Sequence, residues 1–131
     1  MKQCRWLGRL SQPEIKRWFA TASIYALPAL YEPFGYTPLE AALSGCALVL
    51  GDIESLREVW GGAAVFVDPR DSRALKYGLV ELIKNEKLRH EMAQRARERA
   101  LQFTSERMAE NYFTAYLELL VNEQEKFAQC A

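Results

Sequence analysis

Cysteine is scarce and forms no recognisable pattern: Cys4, Cys46 and Cys130 are the three present, with no CxxC pair and no histidine nearby. That excludes a disulfide framework and provides no zinc-ligand spacing, so no metal is expected. Histidine occurs once, His90, between Arg89 and Glu91, where a solvated helix residue is favoured over a catalyst. Neither sign of charge is in excess, because seventeen Lys plus Arg balance seventeen Asp plus Glu. Without a basic surplus to follow a phosphate backbone, nucleic acid is disfavoured as a partner. Uncharged residues 41–51 are too few to span a bilayer and include Gly45 and Gly51. Lys2 and Arg5 imitate the basic start of a leader, yet Ser11, Gln12, Glu14, Lys16 and Arg17 stand where its apolar core would be. The cytoplasm is the expected compartment.

What is present suits a folded chain. Half of the 131 residues are hydrophobic and 26% are charged, far from the composition of disordered segments. A chain of this size buries roughly two-thirds of its surface, enough for one domain, expected over residues 1–131. Ser11-Gln-Pro-Glu14 has the spacing of a capping box with proline in the first turn, and Ile15, Trp18, Phe19 and Ala22 continue at helical spacing. Residues 24–27, 47–50 and 64–67 are short apolar runs of the kind found in parallel strands covered on both faces. Short helices are expected over 38–44, stopped by a left-handed Gly45, and over 55–60, ended by Gly61 and Gly62.

From Asp71 the chain is expected to be helical. Leu75, Leu79, Leu82 and Ile83 mark one amphipathic helix; Leu88, Met92, Ala96, Ala100 and Phe103 mark the next. Thr104 or Ser105 can cap a last helix striped by Met108, Tyr112, Tyr116, Leu119 and Phe127. Strands alternating with helices predict an α/β fold with a parallel, Rossmann-like sheet. Trp6, Trp18 and Trp60 are expected in the core rather than as stacking platforms for a ligand. Arg95, Arg97 and Arg99 are compatible with contact at a membrane surface, but Glu91 and Glu98 interrupt them and favour an ion-paired, solvated helix face.

The segment richest in chemistry is Glu32-Pro-Phe-Gly-Tyr-Thr-Pro-Leu-Glu40, between an expected strand end and a helix start. Ligands of open α/β sheets bind at the carboxyl ends of strands, and helix N-termini present free amides to anions. Gly35 would let the backbone approach a ligand closely, so a side chain there is expected to damage binding more than folding. Glu32 and Glu40 are acceptor-only groups suited to gripping hydroxyls.

Glu32 and Glu40 with seven residues between them, enclosing Phe34-Gly35 and followed by Ala41-Ala42 and Gly45, resemble the family 4 (group 1) retaining glycosyltransferases. Leu7-Gly8, Gly45-Cys-Ala-Leu-Val-Leu, Ser55-Leu-Arg-Glu58, Gly61-Gly62 and Val67-Asp-Pro fall in that family's order, so the likeness runs from about Leu7 to Tyr116. It implies the GT-B fold of two facing Rossmann-like domains, with this chain similar to an N-terminally truncated second domain. It further implies a nucleotide-diphospho sugar as donor substrate, with no separate cofactor. Glu32 would lie near the donor sugar as the catalytic residue. Glu40 would bond the ribose hydroxyls, backbone amides around Gly35, Tyr36 and Thr37 would meet sugar and diphosphate, and Leu10 would offer its backbone to the base. The family's upstream Arg and Lys pair has no counterpart here, since Arg5 and Arg9 lie too near the base-binding loop. The chain alone is therefore expected not to transfer sugar, and the missing first domain, or a partner chain supplying it, is the expected partner. The alternative is a non-catalytic binding or assembly module derived from the same fold.

Overall fold

The computed structural model describes residues 4–129; Lys2, Cys130 and the Phe127 side chain lie outside the described residues. Two compact units divide the chain, one ending at Ala100 and one beginning at Leu101.

In the first unit, α1 (Gln12–Thr21) starts at the capping box: the Glu14 carboxylate accepts from the Ser11 N–H at 2.8 Å and from its hydroxyl at 2.6 Å. Strand β1 (Ile24–Leu27), helix α2 (Tyr36–Leu43), strand β2 (Ala47–Gly51), helix α3 (Glu54–Trp60) and strand β3 (Val65–Val67) follow. The strands form a parallel sheet in the order β1-β2-β3, with Tyr25 level with Leu48 and Leu50 level with Phe66. Chain order and spatial order coincide, as expected when each crossover is one short helix.

Helix α2 begins two residues before the expected Pro38. Proline is tolerated in a first turn because its missing N–H would have no intrahelical acceptor there. At the other end Gly45, at φ 92°, donates to the Ala42 carbonyl and Cys46 to that of Ala41, a left-handed closure of the helix.

The alternation of a strand sorts the core into two layers. Leu48 and Leu50 join Ala41, Ala42, Leu56, Trp60, Ala96 and Ala100 on one face, with Phe19, Tyr25 and Leu27 packed against them. Ala47 and Val49 join Val67, Leu82 and Met92 on the other, against Ile24, Leu75, Leu79 and Leu88. Helix α4 (Ser72–Lys84) is capped by Asp71, whose carboxylate accepts from the Arg73 N–H at 2.8 Å, and α5 (Glu86–Ala100) follows. α5 serves both layers, through Met92 on one and Ala96 and Ala100 on the other. Its polar face divides. Arg95 pairs with Glu91 at 2.6 Å and His90 is exposed beside Glu86, whereas Arg99 turns inward and donates to the Val59 carbonyl at 2.7 Å.

Two expectations need correction. Trp60 is buried, but Trp6 is 93% exposed and Trp18 43% exposed, so only one of the three tryptophans is core. Phe103 lies beyond the end of α5, because that helix stops at Ala100.

The second unit is α6 (Ser105–Gln129), capped by Thr104, whose hydroxyl accepts from the Arg107 N–H at 3.2 Å. Met108, Tyr112, Tyr116 and Leu119 are all exposed. Among the described residues no helix is long and apolar enough to cross a membrane.

Candidate functional site

The loop between β1 and α2 leaves the sheet at the carboxyl end of β1 and is fixed from three sides. Gly35 adopts φ 88° and ψ 68° as the N-cap of α2, a left-handed conformation that costs a residue with Cβ about 1–2 kcal/mol. Its N–H donates to Glu32 Oε1 at 2.9 Å, closing the turn on the carboxylate. The Ser55 hydroxyl, from α3, donates to the Glu32 carbonyl at 2.7 Å. At the end of β2, a Cβ on Gly51 would overlap the Ala29 carbonyl oxygen, so only glycine lets the loop pass so close.

Beyond this turn the first residues of α2 face out of the sheet end. Tyr36 and Thr37 lie in the first turn, where backbone N–H groups have no intrahelical acceptor, and Pro38 has no N–H to give. Two amides are therefore directed at whatever lies beyond the helix end, with the positive end of its dipole behind them. Tyr36 is exposed, its ring edge-on to Phe34 with centroids 5.2 Å apart.

Tyr25 reaches this point from β1. Its hydroxyl lies 2.7 Å from Thr37 Oγ1, and its ring meets Phe19 edge-on at 5.6 Å. Burial pushes the phenol above its ordinary pKa; the Thr37 hydrogen bond opposes this, and the charges of Glu32 and Glu40 add to it. Both glutamates thus act on one hydroxyl at the start of α2, and both are half-buried. Of the residues expected at the site, Glu32, Gly35, Tyr36, Thr37 and Glu40 come together here. Leu10 sits at the entrance to α1, half-buried, outside the hydrogen bonds that hold this loop.

Gly35 is not the surface turn that its sequence suggests, since it is buried and a Cβ would come 3.0 Å from the Pro38 ring. A side chain there disturbs the fold as well as any ligand. The parts that Tyr25, Ser55 and Gly51 play in holding this loop were not read from the sequence, although Ser55 falls in the Ser55-Leu-Arg-Glu58 run and Tyr25 in an expected strand. Tyr25 lies in an apolar run and Ser55 at a helix start, and nothing local marks either as holding a loop elsewhere in the chain.

A depression of about 350 Å³ lies nearby at the ends of β2 and β3, lined by Leu30, Asp52, Ile53, Asp68, Pro69 and Arg70. Its carboxylates are already engaged: Asp52 forms a two-pronged pair with Arg57, and Asp68 accepts from the Arg70 N–H at 2.8 Å. Arg57 also lies over the Phe66 ring, 4.8 Å from its centroid.

The sequence profile of the family described as "Glycosyl transferases group 1" matches residues 1–99. The chain belongs to the group 1 glycosyl transferases. Among its relatives, O-antigen chain mannosyltransferase B of Escherichia coli is 30% identical over 112 residues, 86% of this chain and 29% of that protein. D-inositol 3-phosphate glycosyltransferase of Nocardioides sp. is 31% identical over 114 residues, 86% of this chain and 25% of the relative. The chain thus spans little more than a quarter of these glycosyltransferases. Sucrose-phosphate synthase from Thermosynechococcus elongatus superposes with a TM-score of 0.78 over 92% of this chain and 31% of its own, at 20% identity. That likeness establishes a GT-B-type α/β fold for this group 1 chain.

Proposed function

We propose that this chain is the donor-binding part of a retaining glycosyltransferase, holding a nucleotide-diphospho sugar against the N-terminus of α2. The observation that carries the reading is the Gly35 turn. Closed by Glu32, it leaves the Tyr36 and Thr37 amides open at a strand end, close enough to Tyr25 that the charges of both Glu32 and Glu40 act on its hydroxyl.

In this reading the diphosphate takes the two amides and the helix dipole favours its charge. Glu40 accepts from the ribose hydroxyls, Glu32 stands near the donor sugar, and Leu10 offers its backbone to the base. A first domain, on the same longer polypeptide or on a partner chain, faces this site and brings the acceptor. The bond from the anomeric carbon to the diphosphate oxygen breaks, and the acceptor oxygen bonds to that carbon on the same face. The acceptor's proton passes to the departing diphosphate. Amide chemical shifts on titration with uridine, guanosine or adenosine diphosphate test the reading. Shifts centred on residues 32–40 are expected; shifts elsewhere, or none at millimolar ligand, would overturn it.

A further inference from the structure

We propose that Tyr25 is a positioning residue for this site: its phenol donates to Thr37 Oγ1 and so turns the Thr37 hydroxyl proton outward, as a third donor to the ligand's diphosphate. The inference rests on the donor-binding reading and adds to it a residue from a different element.

The need for a third donor comes from Pro38. An ordinary first turn presents an N–H at its third position, and here proline removes it, leaving the amides of Tyr36 and Thr37. The Thr37 side chain stands on the same turn. A hydroxyl has one proton and two lone pairs, so its orientation decides whether an anion meets a donor or a repelling acceptor. If Thr37 gave its proton to Tyr25, its lone pairs would face the diphosphate. If Tyr25 gives the proton across the 2.7 Å contact, that of Thr37 is released for the ligand.

Tyr25 is built to be the giver. Its place on β1, paired with Leu48 of β2, and its edge contact with Phe19 hold the ring on a rigid element. Of the two hydroxyls the phenol is the stronger acid and so the better donor, and the aliphatic Thr37 oxygen is the better acceptor across the 2.7 Å contact.

The test compares Tyr25→Phe, Thr37→Val, Thr37→Ser and the double variant Tyr25→Phe/Thr37→Val with the unaltered chain. Binding is followed by amide shifts for inorganic pyrophosphate, for the nucleoside diphosphate that binds best, and for its nucleoside. Tyr25→Phe is expected to raise the Kd for both diphosphate ligands about tenfold, the size of one hydrogen bond to a charged group, with the nucleoside unchanged. Thr37→Val should do the same, the double variant should be no worse than Thr37→Val, and Thr37→Ser should bind like the unaltered chain. Thermal melts of all four identify any loss that is merely structural, and the Thr37 pair reads the same contact should Tyr25→Phe fold poorly. Unchanged diphosphate binding in Tyr25→Phe, additive losses in the double variant, or equal weakening of the nucleoside would each overturn the role given to Tyr25. An unaltered chain that binds none of the probes would overturn the donor-binding reading and this inference with it.

Discussion

In the proposed reading Glu32 carries two duties that a single substitution would confuse. Its carboxylate closes the Gly35 turn, and the proposal also places its charge near the donor sugar. Glu32→Gln keeps an oxygen acceptor for the Gly35 N–H and removes the charge, whereas Glu32→Ala removes both. Glu32→Ala should therefore lower the melting temperature while Glu32→Gln leaves it nearly unchanged, as differential scanning calorimetry would show. Glu40 carries no such burden, and Glu40→Ala should weaken nucleoside diphosphate binding about tenfold, the scale of a charge-assisted hydrogen bond. Gly51→Ala should cost about 1–3 kcal/mol in urea unfolding, because its Cβ would overlap the Ala29 backbone. By contrast, a Cβ on Gly45 meets nothing within 4 Å, and Gly45→Ala should cost only the left-handed torsion, about 1–2 kcal/mol.

At the scale of elements, the start of α1 depends on one ionised carboxylate. Hydrogen bonds from the Ser11 hydroxyl and N–H hold Glu14 below the usual carboxylate pKa. A group whose folded pKa is depressed contributes its stability above the unfolded value and loses it as pH falls through the folded one. Acid titration should therefore loosen α1 only below the ordinary glutamate range, and Glu14→Gln should remove that pH dependence, measured by amide exchange at residues 14 and 15. Such caps were legible in the sequence because each is written within four residues, and the strands were legible because buried parallel strands are continuous apolar runs. The start of α2 was not, since Pro38 reads as a first helical residue although Gly35 had already turned the chain. The hydroxyl of Tyr25 could not be read at all, because its partner comes beside it only once β1 and α2 are assembled.

Among the described residues, the buried hydrophobic side chains lie in the unit ending at Ala100. Leu48 is fully buried between β2 and the helices, and Leu48→Ala should cost about 2–5 kcal/mol, a large share of an ordinary domain's stability. Leu119, on α6, is 61% exposed, and Leu119→Ala should shift the melting curve little. The coincidence of chain order and spatial order in β1-β2-β3 also bears on how the sheet is made. Each new strand docks beside the one just completed, so no pairing waits for a distant stretch of chain and each loop closure is short. Parallel sheets are slow to fold when their pairings are remote. A chain emerging in sequence from a ribosome could lay down this one strand by strand, and the turn at Gly35 would be set before Ser55 arrived to hold it.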